Sequence, residues 1–301
     1  MHNLRYLPIK SVDDYIQETK KGLHQHNRDF VIGHDAEYRS SYADYVSHLL
    51  PCKLEQVKPL WNELEEDSEQ DRKSKREHRG QAKSIYDSKT KSLHGKYWKE
   101  IETINGRTAL VCPLCGLALC EHLDHYIPRD TMPEFSVFTP NLIPLCHDCN
   151  EDKHEVWLND EGVRVIFNAY YDLLPNVSVC KCDIIITQDM PYAKIDINPD
   201  LPSDDSNVKL VLRTIDKLKL LKKWQNHGDI IMGKEVIKIE NDYNNTIWPI
   251  VGDYWEYKKS CYISYLQGTT KWDLIERAIY QSIIDSVEMK KWCIRKCESL
   301  Q

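Results

Sequence analysis

The chain contains no run of apolar residues long enough to cross a membrane, which excludes a spanning helix. Its opening residues, Met1-His2-Asn3-Leu4-Arg5-Tyr6, lack the apolar core of a signal peptide. There is no internal repeat and no low-complexity tract, which sets aside solenoid arrays and compositionally biased tails. Positive charge is in deficit: 40 Lys and Arg face 47 Asp and Glu, a formal net charge of −7. Any charge that binds phosphate must therefore be local. A fully paired disulfide framework is excluded too, because eleven cysteines is an odd number and a chain of this length does not need one. Four of the eleven form two C-x-x-C pairs, which in an intracellular protein point first to zinc. A cytoplasmic location is expected on that ground.

What is present suits a folded enzyme or binding protein. The 301 residues are 41% hydrophobic and 10% aromatic, enough to fill two or three packed units. Residues 1–100 read as mainly helical. Ser11, with Asp14 three residues on, is an N-cap signal. Leu54, Val57, Leu60, Trp61 and Leu64 recur at helical steps and predict an apolar helix face. An acidic knot, 63–71, precedes a basic stretch, 72–99, that holds ten Lys or Arg against Glu77 and Asp87. That stretch is either a solvated helix face or linker, or an arm that contacts phosphate. Residues 101–160 carry the chemistry. In 161–301, the β-branched runs 163–167, 177–182, 184–187 and 193–197 read as strands. A helical period returns from Asn207, and another helix is expected over 272–296.

The two pairs are Cys112-Pro113-Leu114-Cys115-Gly116 and Cys146-His147-Asp148-Cys149-Asn150. Each tight turn aims two thiolates at one ion, and two such turns make a closed tetrahedral S₄ site for structural Zn²⁺. A redox C-x-x-C is the competing reading, and two pairs in one short region favour zinc. Cys120, Cys180 and Cys182, and Cys293 and Cys297 lack matched partners and read as core thiols.

Between the pairs runs Glu121-His122-Leu123-Asp124-His125-Tyr126-Ile127-Pro128-Arg129, followed by Pro133-Glu134-Phe135-Ser136-Val137 and Asn141-Leu142-Ile143-Pro144. Hydrolysis of a phosphodiester needs an activated water and a cation to neutralise developing charge. A neutral imidazole is a suitable base near pH 7, and a carboxylate holds a hard divalent cation through oxygen. Asp124-His125 offers that pair. Asn150 opens the segment after the second knuckle, with His154 one helical turn on. Taken singly, each of these residues has an ordinary reading as a helix cap or a surface polar group. Their co-occurrence in one window changes the odds.

This window resembles the zinc-bound HNH endonuclease family. The match lies in the knuckle Cys112–Gly116, in Leu123–Arg129, Pro133–Val137 and Asn141–Pro144, and in Cys146–Lys153 with its Cys-x-x-Cys-Asn-x-x-Lys order. The resemblance implies an α+β fold with a ββα-metal, treble-clef-like zinc core. It implies His125 as general base, oriented by Asn141, and Asp124 and Asn150 as holders of catalytic Mg²⁺ or Mn²⁺. His154 stands where some members place a third metal ligand. Cys112, Cys115, Cys146 and Cys149 would bind zinc, and Arg129 and Lys153 would meet phosphate. The implied reaction is hydrolysis of DNA to 5′-phosphate and 3′-hydroxyl ends. The implied setting is bacterial defence or mobile elements, beside a protein partner such as an ATPase. A zinc-stabilised nucleic-acid-binding adaptor without catalysis and an RNase with the same core are the alternatives.

Overall fold

The computed structural model describes residues 1–4, 8–106, 110–245, 251–268 and 274–300; of residues 89–94, 245 and 274 only the backbone is described. The protein is α+β, with helices and, among the described residues, two small antiparallel sheets. It divides into two compact units. One comprises Asn3–Leu114 and Leu119–Leu174; the other comprises Pro175–Gln301 with Met1–His2 and Cys115–Ala118. No helix among the described residues is long and apolar enough to cross a membrane.

In the first unit, α1 (Val12–Lys20) starts at the expected cap. The Ser11 hydroxyl accepts from the Asp14 amide and the Asp14 carboxylate accepts from the Ser11 amide, a reciprocal pair that satisfies two orphan donors. After α2 (Gln25–Gly33), α3 (Asp35–Leu49) buries Tyr38, Tyr42, Tyr45 and Leu49, which lie at helical spacing on one face. Their rings pack on Phe135 and Phe138, inside the window that carries the resemblance. Tyr42 stacks on Phe138 at 4.3 Å between centroids, and Tyr45 meets Phe135 edge-on at 4.8 Å. The helical region and the residues of the resemblance therefore share one core.

The helix expected over Leu54–Leu64 does not form. Only a 3₁₀ turn, Leu54–Gln56, is present, and Val57 is extended. Pro59 explains this, since it lacks an amide hydrogen and disfavours helical backbone in the residue before it. Leu54, Val57 and Trp61 are nevertheless buried. The basic stretch forms most of α4 (Glu69–Asn105), which starts with a second capping box at Ser68 and Asp71 and ends at Gly106. Gly106 has φ of +98°, backbone that a side chain would strain.

β1 (His122–His125) pairs antiparallel with β2 (Leu142–Leu145), with Asp124 opposite Ile143 and His125 opposite Leu142. α5 (His147–Lys153) follows directly. Val163–Phe167 is not a strand; a single bridge, Leu158 to Arg164, occurs there. Arg164 is instead a buried tie, bonded to both Asp172 oxygens, the Cys52 carbonyl and Glu55.

In the second unit, the two runs expected as separate strands fuse into β3 (Cys180–Thr187), which pairs with β4 (Met190–Ile197). Gln188 and Asp189 both have positive φ, the signature of a two-residue hairpin turn that matches strand twist. Among the described residues, the helices of this unit are α6 (Ser206–Lys217), α7 (Leu220–Asn245), α8 (Val251–Gly268), α9 (Leu274–Asp285) and α10 (Val287–Glu298). The periodic segment from Asn207 breaks between α6 and α7, where Lys219 has φ of +52°. The Gln225 amide accepts from the Ile195 N–H at 3.0 Å and donates to the Ala193 carbonyl at 2.7 Å, along the outer edge of β4. Gly228 lets α7 approach that strand, because a Cβ there would meet Ile195 at 3.2 Å and Ala193 at 3.3 Å.

Candidate metal centre and active site

Cys112, Cys115, Cys146 and Cys149 are buried, and their sulfurs lie within 4.8 Å of one another. None of the eleven cysteines forms a disulfide. Local backbone explains the convergence. A bridge between Val111 and Leu119 and a 2.7 Å bond from the Cys120 amide to the Leu110 carbonyl close the first knuckle. Gly116 supplies the left-handed residue at its turn, with φ of +71°. The Leu117 amide points at the Cys115 sulfur at 3.5 Å. Cys146 caps α5 and Cys149 lies in its first turn. Four buried soft donors at this separation fit a tetrahedral Zn²⁺. Cys120, Cys182, Cys293 and Cys297 are buried outside this cluster.

β1 ends at His125, whose side chain is buried. Its Nε2 lies 2.8 Å from the Ser136 carbonyl oxygen. A carbonyl only accepts, so Nε2 carries the hydrogen and Nδ1 is left as the basic nitrogen. Burial holds the imidazole below the ordinary histidine range, opposed by the Ser136 bond and the nearby Asp124 charge. The Tyr86 ring, from α4, stands edge-on to the imidazole at 4.6 Å. The Arg129 guanidinium lies 5.7 Å from the centre of the Tyr86 ring and pairs with Asp87 at 2.9 Å.

α4 braces the whole loop after β1. Arg79 donates to the Asp130 and Thr131 carbonyls, Lys83 pairs with Asp130, and the Ala82 carbonyl accepts from the Ser136 hydroxyl. The expected arm is therefore partly internal. Lys75 and Arg76 also have acidic partners, and the side chains of Lys89 and Lys91 lie outside the described residues. Neither Tyr86 nor the Ser136 carbonyl was signalled by the sequence, since a lone tyrosine in a basic helix and a backbone oxygen carry no motif.

A stretch of 63 residues is 41% identical to Protein ea31 of Escherichia phage lambda, covering 20% of this chain and 21% of that protein. The match is local. The chain spans about a fifth of the length of that relative. No protein-family model matches the chain, and no solved structure does.

The geometry bears on three expected roles. Asn141 makes no hydrogen bond to the His125 ring. Its fully buried amide accepts from Tyr45 and the Ile127 amide and donates to the Ile127 and Phe135 carbonyls. It holds the chain on both sides of the site, and Ser136 orients the imidazole. Lys153 is not available to phosphate: it is 0% exposed, 2.7 Å from Asp124 Oδ2 and 2.7 Å from the His125 carbonyl oxygen. His154 does not continue the face of α5. It follows the last helical residue with φ of +49° and an exposed side chain. Among the described residues, the cysteine tetrad is the one cluster of three or more His, Cys, Asp or Glu ligands.

Asp124 and Asn150 are the other two residues for which oxygen ligation was expected. Asp124 is 16% exposed; neither carboxylate oxygen has a hydrogen bond among the described residues, and the buried Oδ2 is held by the Lys153 ion pair alone. Asn150 is half-buried on α5, three residues before Lys153 and so on the same helix face. A carboxylate and an amide oxygen suit a hard cation such as Mg²⁺ or Mn²⁺.

Proposed function

We propose that this protein is a metal-dependent endonuclease of the HNH type that hydrolyses phosphodiester bonds in DNA. The observation that supports it most is the His125 imidazole, held at Nε2 by the Ser136 carbonyl on a strand that also bears Asp124. The buried tetrad supports the same reading, since a structural zinc there would anchor α5.

Each residue then has a task. Nδ1 of His125 takes the proton of the attacking water, and burial favours the neutral form that can do so. Asp124 and Asn150 hold the divalent cation, which when bound neutralises charge on the phosphate and the leaving oxygen. Arg129, on the rim with 41% of its side chain exposed, meets a neighbouring phosphate by exchanging the Asp87 carboxylate for it. In the setting that the resemblance implies, an ATPase would be the protein partner and defence the role.

The test is nicking of supercoiled plasmid with Mg²⁺ or Mn²⁺ by the wild type and by His125→Ala. Cleavage by the wild type with a loss of at least 100-fold in the variant is expected. Equal nicking by both would place the activity elsewhere. DNA retention without cleavage under either metal would favour the adaptor reading, and matched RNA and DNA oligonucleotides separate an RNase from a DNase.

A further inference from the structure

We infer that Lys153 is a positioning residue that reserves Oδ1 of Asp124 for the proposed cation, an inference that rests on the nuclease reading above. Its side chain is wholly buried, and an ammonium survives burial only where partners replace water. It has two at 2.7 Å, Asp124 Oδ2 and the His125 carbonyl oxygen, and a longer contact at 3.5 Å to the His154 carbonyl. One side chain from α5 thus grips both neighbouring residues of β1.

The consequence for Asp124 is geometric. The terminal torsion of a carboxylate is broad and two-fold, so an unrestrained aspartate offers a cation either oxygen or both. Lys153 pairs with the buried Oδ2 and leaves Oδ1 without a hydrogen bond among the described residues. The foot of the lysine is itself fixed, because α5 is capped by Cys146 and carries Cys149. The tetrad, α5, Lys153 and Asp124 form a continuous line of support from the sulfur cluster to the cation ligand.

A fixed positive charge beside a cation site also repels the cation. Lys153 therefore lowers affinity while it raises order, and the two effects can be separated. Zinc content and Mn²⁺ binding by titration calorimetry or electron paramagnetic resonance are measured first, without substrate, for wild type, Asp124→Ala, Lys153→Met and Lys153→Gln. Plasmid cleavage rates follow.

The wild type is expected to bind Mn²⁺ and Asp124→Ala to lose it. Lys153→Met is expected to keep its zinc and to bind Mn²⁺ as tightly as the wild type or about three- to tenfold more tightly. Its cleavage rate is expected to fall at least 100-fold, with Lys153→Gln, which still donates one bond, lying between. Wild-type cleavage by Lys153→Met overturns the inference. So does joint loss of Mn²⁺ binding and cleavage with zinc retained, or loss of zinc from both lysine variants, since either makes Lys153 a prop of the fold. A wild type that neither binds Mn²⁺ nor cleaves DNA overturns the nuclease reading instead.

Discussion

The Tyr86 ring stands edge-on to the His125 imidazole, 4.6 Å between centroids, and so makes the long helix α4 part of the candidate active site. Edge-to-face pairs contribute about 0.5–1.5 kcal/mol beyond burial, enough to hold a ring in place. Tyr86→Ala is expected to slow cleavage about tenfold, since small misplacements of a base are costly. Tyr86→Phe keeps the ring and should stay near the wild-type rate. Full activity in Tyr86→Ala would remove α4 from the site.

Metal removal tests the tetrad. Cys146→Ser, or treatment with a strong chelator, is expected to release one zinc per chain and to lower stability by more than about 4 kcal/mol, the range reached when a structural metal is lost. Melting that is unchanged after the metal is gone would show that the four sulfurs pack without an ion.

Asn141 separates a fold role from a catalytic one. Its amide makes four hydrogen bonds inside the core. Asn141→Ala leaves the Ile127 amide and carbonyl without this partner, at a cost of about 2–4 kcal/mol. Denaturant unfolding should show that loss, while His125→Ala should unfold near the wild-type midpoint. A stable but inactive Asn141→Ala would restore the direct role in orienting the base.

Glu134 carries the pH dependence. It is buried against α3 and accepts from the Leu60 amide at 2.6 Å. Burial raises its pKa from 4.5 to about 7. The folded chain therefore holds the proton more tightly than the unfolded chain. Stability falls as pH rises from about 4.5 to about 7, and the full penalty, on the order of 3 kcal/mol, applies above that window. Glu134→Gln keeps the acceptor for Leu60 and cannot ionise. It should melt higher than the wild type at pH 8, with the gap closing toward pH 4.5. A gap independent of pH would show that this carboxylate titrates normally.

Much of this was legible in the sequence where local chemistry decides structure. Ser11 with Asp14 announced α1, and the C-x-x-C spacing announced a sulfur cluster whose four members do converge. Only the resemblance announced the pairing of β1 with β2, which are four residues each. Reading failed where a single residue overrides a pattern. Pro59 cancels the helix that Leu54 to Leu64 suggests. Asp183 does not divide β3, because a polar residue on the solvent face of a strand breaks nothing. It also failed where burial decides the role. A lysine after a knuckle reads as a surface cation, and only the packing of α5 on β1 shows Lys153 enclosed.

The Gln225 amide on the outer edge of β4 has a bearing on the life of the protein in concentrated solution. It bonds one carbonyl and, two residues on, one N–H, as a neighbouring strand would. A two-stranded sheet exposes unpaired backbone that can recruit another chain, and this side chain occupies part of that position permanently. Gln225→Ala should therefore retain its helical content yet scatter light sooner at equal concentration, because one glutamine stands guard where a third strand would otherwise invite fibrous self-association.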